Sequence, residues 1–210
     1  MTDMSRKRQS DATDQPRKRK RDLVSLEKVI SGGQTGADRA ALEAAREAGI
    51  PTGGFAANGF KTTAGVDLSL KWTFGLEEMD LVPIREFVTH EHPYVARSKK
   101  NVDASDATIA FRMKQSAGTD KTIGYCYSKQ WRYITRAQIL SKRSPYKPCL
   151  VIESVADSKD AVDQILAFLG RHKPKILNVC GHRDDATAGV DQYTAKIKEI
   201  LAYVFETSNK

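Results

Sequence analysis

Glycines and hydroxyl-bearing residues occur together in a short loop that has the composition of an anion-binding site. The loop follows the predicted strand 23–30 and contains glycines at positions 32, 33 and 36. Glycine lets the backbone take positive φ and approach a ligand closely, and a helix that begins near Gly36 would point its free N–H groups into the loop. The spacing matches neither a dinucleotide fingerprint nor a Walker loop, so a tight strand-to-helix turn stays an alternative. The candidate ligand-contacting residues are Ser31, Gly32, Gly33, Gln34, Thr35 and Gly36.

A second loop of the same kind follows a later apolar segment, residues 107–111. It runs from 116 to 122 and places threonine hydroxyls beside a glycine at the start of a predicted helix. Because ligands bind at the carboxyl ends of parallel strands, the two loops can converge on a single anion. Polar residues near the loops are either capping and salt-bridging groups or further ligand contacts. The candidates are Gly118, Thr119 and Thr122 in the second loop, Asp38 and Arg39 after the first, and Asn101, Ser105 and Asp106 before residue 107.

Apolar strand segments alternate with helical patterns of about 10 to 15 residues along most of the chain. This order predicts an α/β fold, namely a Rossmann-like, doubly wound and mainly parallel sheet flanked by helices, in a single ligand-binding domain over 23–210. Residues 56–95 show no strong periodicity and are interpreted as a functional excursion. Predicted strands cover 23–30, 50–55, 107–111, 147–152 and 175–181, and predicted helices cover 37–48, 97–104, 119–129, 160–170 and 190–205.

The composition argues against several classes of protein. No apolar run approaches the roughly 20 residues of a membrane span, and the N-terminus lacks the apolar segment of a signal peptide. The three cysteines are widely spaced, which favours reduced thiols in a nuclear or cytoplasmic protein over a disulfide framework or a zinc site. His90 and His92 have no second pair of ligands nearby in the sequence, so no metal site is predicted. We therefore expect a protein that is neither secreted nor membrane-bound.

Residues 1–22 form a strongly basic tail. They hold eight basic and four acidic residues, a net charge of +4 out of the chain's +8, and almost no large apolar residues. Such a composition predicts disorder. The basic run is typical of a nuclear localisation signal, and the alternatives are a solubilising tail or a weak, salt-dependent contact with nucleic acid. The predicted nuclear signal consists of Arg17, Lys18, Arg19, Lys20 and Arg21.

Five sequence blocks resemble, in the same order, those of the molybdenum carrier family, whose members are described as molybdenum cofactor carrier proteins. The blocks are SGGQTGADRAAL, GGF with NGFK, NVDASDATIAF, AGTDKT and LNVCGHR, and the resemblance extends over about residues 26–205. It implies membership of a Rossmann-like group that includes the cytokinin-activating phosphoribohydrolases once labelled lysine decarboxylases. It also implies a site lined by both glycine loops and closed by Asn178, Gly181 and Arg183, a ligand such as molybdenum cofactor or molybdate, and a homo-oligomer.

These observations favour a non-catalytic protein that binds a phosphate-bearing, nucleotide-like or pterin-type ligand, or a bare oxyanion. A nucleoside-monophosphate phosphoribohydrolase is an alternative of another class. The related hydrolases carry a glutamate just after the Gly-Thr of their second loop, where this chain has Asp120, Lys121 and Thr122. A third hypothesis is a nuclear, nucleic-acid-associated protein that acts through its basic tail.

Overall fold

The computed structural model describes residues 25–79, 94–130, 132, 145–183 and 191–208. The predicted disordered tail with its nuclear signal, as well as His90 and His92, lies outside the described residues. The strands are β1 (Lys28–Ile30), β2 (Thr52–Gly53), β3 (Phe55–Ala56), β4 (Lys61–Thr62), β5 (Gly65–Val66), β6 (Glu77–Glu78), β7 (Ala107–Phe111), β8 (Cys149–Ile152) and β9 (Ile176–Gly181). The helices are α1 (Ala37–Glu47), α2 (Ser69–Trp72), α3 (Tyr94–Asp103), α4 (Ala117–Ser128), α5 (Ser158–His172) and α6 (Asp191–Ser208), and a 3-10 helix covers Asn58–Phe60.

The main sheet has five strands in the order β2-β1-β9-β7-β8, and each neighbouring pair is parallel. This confirms the predicted α/β, Rossmann-like fold with helices flanking a parallel sheet. When β9 is counted as the first strand, the order becomes 3-2-1-4-5, which is that of the first five strands of the full Rossmann order 3-2-1-4-5-6. The last strand of the sheet in the sequence therefore takes the central position that the first strand has in an unpermuted fold.

The large core packs α1, α5 and α6 against the sheet. Alternate residues of β7, at positions 107, 109 and 111, belong to this core, as expected for a strand whose side chains alternate between two faces. Five alanines of α1 are fully buried there, and their small size lets the helix lie close to the strands and to α6. A smaller cluster of Val102, Tyr125 and Cys126 joins α3 to α4.

Most of the described part of the predicted excursion lies in residues 56–79, and the first strand there begins one residue earlier, at Phe55. These residues fold into two small sheets, a parallel pair of β3 with β6 and an antiparallel pair of β4 with β5. Phe60, Leu70, Phe74 and Leu76 pack with Leu42 of α1 into a separate apolar cluster. The segment is therefore an ordered extension that packs on the first helix and the loop before it.

Helix ends differ in detail from the predicted ones. Gly49 follows α1 with a φ of 73° and donates its N–H to the Arg46 carbonyl, as predicted for a glycine that ends a helix. Gly170, the last residue of the predicted helix 160–170, lies inside α5. That helix continues to His172 and ends at Lys173, which takes the left-handed conformation usually found for glycine.

Candidate functional site

A cavity of about 540 Å³ lies where β1, β7 and β9 end. The connections of the sheet diverge at this point, and ligands of open α/β sheets bind in such crevices. Ten of the seventeen residues predicted from the sequence line the cavity. They are Gly32, Gln34, Asp38, Asn101, Gly118, Thr119, Thr122, Asn178, Gly181 and Arg183.

The N-terminus of α4 opens on this cavity. The N–H groups in the first turn of a helix have no helical carbonyl partner, and the Ser116 side chain does not cap them. The Thr119 hydroxyl donates instead to the Ser116 hydroxyl over 3.3 Å, and the Thr122 hydroxyl donates to the Gly118 carbonyl over 2.9 Å. A Cβ added at Gly118 would meet no described atom within 4 Å. The first turn of α4 therefore borders open space, as an anion-binding helix terminus must.

The charge of the cavity favours an anion. Among the described lining residues, four are basic, namely Arg97, Lys114, Lys121 and Arg183, and one is acidic, Asp38. Basic groups around a concave surface raise the local concentration of negatively charged ligands. The helix N-terminus adds partial positive charge on the same side.

Asp38 and Arg97 form a buried ion pair in the wall of the cavity. Arg97 Nη1 donates to Asp38 Oδ2 over 3.2 Å, and the Gln34 N–H donates to the same oxygen over 3.2 Å. Burial raises the pKa of the Asp38 carboxyl, while the Arg97 charge and the Gln34 N–H act in the opposite direction. Arg97 Nε is buried and has no hydrogen-bond partner among the described residues. The guanidinium therefore keeps a hydrogen-bond donor that Asp38 does not use.

His182 lies at the end of β9 and also lines the cavity. Its Nδ1 lies 3.3 Å from the Met113 nitrogen and 3.2 Å from the Phe111 carbonyl oxygen. Nδ1 therefore accepts the Met113 N–H in one neutral tautomer and donates to the Phe111 carbonyl in the other. Nε2 is buried without a partner in the described part of the chain, and burial lowers the pKa of the ring.

Two glycines of the first loop lie in close contact with other parts of the protein. Gly33 has a φ of 71°, and a Cβ on it would lie 2.8 Å from the side chains of Leu70 and Leu76. Gly36 has a φ of 84°, and a Cβ there would lie 2.2 Å from the His182 carbonyl oxygen. That oxygen accepts the Ala37 N–H at the start of α1 over 3.0 Å. The sequence predicted that this helix directs free N–H groups at the ligand. For Ala37 this prediction is corrected, because its N–H is bonded to a carbonyl of the loop that follows β9.

Other polar residues of the first loop hold the loop in place. The Ser31 hydroxyl donates to the Val179 carbonyl over 2.7 Å, and Gln34 Oε1 accepts the N–H of Thr63 over 2.8 Å. The Thr35 and Thr63 hydroxyls lie 2.8 Å apart. These bonds attach the first loop to β9 and to the excursion, and neither Ser31 nor Thr35 lines the cavity.

Arg39 forms salt bridges, which is one of the two roles that the sequence left open for it. Its Nε lies 2.9 Å from Glu43 Oε1, its Nη1 lies 2.6 Å from Asp67 Oδ2, and its guanidinium stacks over the Phe74 ring. These contacts join α1 to the excursion. Arg39 is not among the residues that line the cavity.

Three predicted contacts before β7 have structural roles. Asn101 lines the cavity, but its side chain exchanges two hydrogen bonds with the Phe55 backbone. The Ser105 hydroxyl donates to the Val102 carbonyl over 3.0 Å, and Asp106 Oδ2 accepts the N–H groups of residues 175 and 176. The structure does not bring Ser105 and Asp106 to the cavity, because they precede β7 and the site lies where β7 ends.

Several lining residues were not predicted from the sequence. Arg97 belongs to a basic segment whose helix was predicted, but the sequence does not show which of its basic residues faces the sheet. His182 stands beside two predicted residues, so its position after a strand was an available signal. The remaining additions with polar side chains are Tyr94, Ser98, Lys114, Gln115, Ser116, Lys121 and Cys180.

Asp120 lies next to the second loop but is engaged with an arginine. Its carboxylate accepts hydrogen bonds from Arg112 Nε over 2.5 Å and from Nη2 over 3.4 Å, and its side chain is 9% exposed. It does not line the cavity. The structure therefore shows Asp120 as the hydrogen-bonded partner of Arg112.

The cysteines are all described and unpaired. A hydrogen bond with Cys126 and burial raise the pKa of the Cys149 thiol, and burial raises that of Cys180. A protonated thiol is a weak nucleophile.

No cluster of three or more His, Cys, Asp or Glu side chains suited to a metal ion occurs within the described ranges. None of the helices described is both long and apolar enough to cross a membrane.

Comparison with known proteins identified a family and a similar solved structure. The family model described as "Circularly permutated YpsA SLOG family" matches residues 29–202. Among solved structures, the chain is similar to a protein of Syntrophus aciditrophicus SB named "Putative molybdenum carrier protein", with 30% identity, coverage of 87% of this chain and 96% of that chain, and a TM-score of 0.63. Comparison with curated proteins gave no match. The central position of β9 agrees with the permutation in the family's description.

Proposed function

The chain belongs to the circularly permutated YpsA SLOG family, and we propose that it is a carrier-like protein. It would bind a small phosphate-bearing ligand in the cavity at the ends of β1, β7 and β9. The observation that carries this proposal is the open N-terminus of α4, which faces a cavity whose described walls hold four basic residues and one acidic residue. A phosphate at this place would accept backbone N–H groups of the first turn and would be attracted by the surrounding charges.

The size of the cavity favours an organic ligand over a bare oxyanion. Cavities of about 300 to 1,000 Å³ are typical of sites for small molecules and cofactors, and 540 Å³ lies in this range. A tetrahedral oxyanion would occupy the anion-binding end and leave the rest of the space to water. A nucleotide or a phosphate-bearing pterin would place its phosphate against α4 and its ring system toward Tyr94 and Ser98.

The solved relative is named as a molybdenum carrier, so molybdenum cofactor is a candidate cargo for this chain as well. The lining residues suit its phosphate and ring atoms: Gly118 leaves open space at the helix terminus, and amide and hydroxyl groups lie around it. Molybdenum cofactor would supply a molybdenum centre for delivery to another protein. This chain's residues would bind and orient the phosphate and shield the ring from water.

The first test is a thermal-shift screen of the full chain. The ligands are molybdate, tungstate, inorganic phosphate, nucleoside mono- and diphosphates and purified molybdenum cofactor. A ligand that binds the folded state alone stabilises it by about 2.7 kcal/mol at a hundredfold excess over Kd. Phosphate-bearing organic ligands are expected to raise the unfolding temperature more than the bare oxyanions do.

Two glycine variants make this test specific to α4. Gly118→Asp adds a carboxylate in open space at the first turn, where it suits the helix dipole but repels an anion. Gly170→Asp makes the same exchange on α5, also where no described atom lies within 4 Å. The first variant is expected to abolish the ligand-induced shift and the second to retain it. A shift that survives in Gly118→Asp would place binding elsewhere, and shifts by oxyanions alone would replace the organic ligand with a bare anion.

A further inference from the structure

The guanidinium of Arg97 occupies the space above the first glycine of the first loop. A Cβ built on Gly32 would lie 1.4 Å from Arg97 Nη1 and 2.3 Å from Cζ. Unlike Gly33 and Gly36, Gly32 does not have a positive φ, so its backbone is open to any residue. A side chain at position 32 would therefore displace the Arg97 guanidinium from its present place.

Asp38 determines where this guanidinium lies. The side chain of Arg97 is 9% exposed and that of Asp38 is 6% exposed. The Asp38 carboxylate also accepts the Gln34 N–H, so Asp38 is itself fixed by the first loop. Arg97 Nη1 is thereby oriented, while the buried Nε has no partner among the described residues. A guanidinium presents a rigid fork of donors, and a fork with an unused donor can donate a hydrogen bond to an oxyanion besides Asp38.

Arg97 and the first turn of α4 line the same cavity. We infer that Arg97 is the specificity-determining residue of the anion site, that Asp38 and Gly32 are its positioning residues, and that together they select a tetrahedral oxyanion such as a phosphate group. The inference rests on the proposed anion site at α4. The first glycine loop then acts on the ligand through Arg97, and the fork favours an anion with two adjacent oxygens over a spherical one such as chloride.

The test is a titration of the full chain with inorganic phosphate at constant ionic strength, followed by NMR of the arginine Nε–H groups. The Arg97 Nε–H resonance is expected to shift and to exchange more slowly with water as phosphate binds. Chloride at the same ionic strength is expected to leave the resonance in place. A purely structural arginine would respond to neither anion.

Two variants change the position or the shape of the cationic group at residue 97 without changing the net charge. Gly32→Ala displaces the guanidinium, and Arg97→Lys keeps the cation but removes the fork. Each is expected to raise the Kd for phosphate about tenfold, the loss of one charge-assisted contact. Gly170→Ala is the matched control, since a Cβ there meets no described atom within 4 Å, and its Kd is expected to equal that of the parent.

The outcomes separate this inference from the proposed function. If the parent binds phosphate but both variants keep the parent Kd, or the Arg97 signal stays unchanged, the inference is overturned and the α4 site stands. If Gly32→Ala does not fold, Arg97→Lys gives the answer alone. If the parent binds no phosphate, the anion site itself is wrong, and the role of Arg97 falls with it.

Discussion

The buried pair of Asp38 and Arg97 predicts that a single substitution destabilises the fold far more than a double substitution does. Asp38→Ala leaves a guanidinium that is 9% exposed without its carboxylate, so we expect a loss of about 3 to 5 kcal/mol in the free energy of unfolding. The double variant Asp38→Leu with Arg97→Met replaces both charges by apolar groups and should lie close to the parent. Urea denaturation measures both. A double variant as unstable as Asp38→Ala would contradict this account of the pair.

His182 predicts a pH dependence of stability. Burial lowers its pKa in the folded chain, while the unfolded chain keeps the usual value of about 6.5. As pH falls below that value, the unfolded state binds a proton that the folded state does not, so the stability that this group contributes is lost. His182→Asn keeps an acceptor for the Met113 N–H but does not titrate. Its free energy of unfolding should fall less steeply than the parent's between about pH 7 and pH 5, and parallel curves would refute the prediction.

Single residues of the site were only partly predictable. The first-loop glycines were recognised, but their neighbours were not, because Leu70, Leu76 and Arg97 reach them from distant parts of the sequence. Residue types alone cannot tell a glycine that admits a ligand from one that admits a side chain. The placement of Asp106, in contrast, was deducible, since a residue that precedes a parallel strand lies at the opposite end from the site.

At the scale of elements, two helix N-termini give a matched prediction. Asp157 caps α5, because its carboxylate accepts the N–H groups of Lys159 and Asp160, whereas the side chain of Ser116 makes no such bond at α4. We therefore expect Asp157→Ala to cost about 1 kcal/mol of stability and Ser116→Ala clearly less. Denaturant unfolding of both variants is the measurement. Equal losses would mean that Ser116 caps α4 and that the terminus is not open to a ligand.

Elements were more predictable than their arrangement. The strands at 107–111 and 175–181 and the helices around residues 40, 123, 165 and 198 follow from apolar periodicity, and the structure confirms them to within a few residues at most ends. The order of strands does not follow, because a parallel strand pairs with partners far away in the sequence. The place of β9 between β1 and β7 became visible only in the three-dimensional pairing.

For the whole molecule, the basic tail is predicted to act independently of the cavity. Removing residues 1–22 takes away eight basic residues and half of the net charge. We expect the shortened chain to unfold at the same temperature and to keep its response to phosphate-bearing ligands, but to lose nuclear accumulation or salt-dependent binding to nucleic acid. Fluorescence microscopy and binding at two salt concentrations check this. A lost ligand response would show that the tail belongs to the site. The homo-oligomer implied by the resemblance likewise stays a prediction.

The central position of β9 has a consequence for synthesis on the ribosome. In the main sheet, β2 pairs with β1 and β7 pairs with β8, and β9 is the strand that joins these two halves. Chains emerge at about 5 to 20 residues per second, so the edges of β1 and β7 that β9 later covers stay unpaired until residues 176–181 have been made. Unpaired parallel edges attract other chains. A nascent chain that is interrupted between β8 and β9 would thus be a target for chaperones. When β9 has been made, it joins the two halves of the sheet and supplies its part of the cavity wall in the same step.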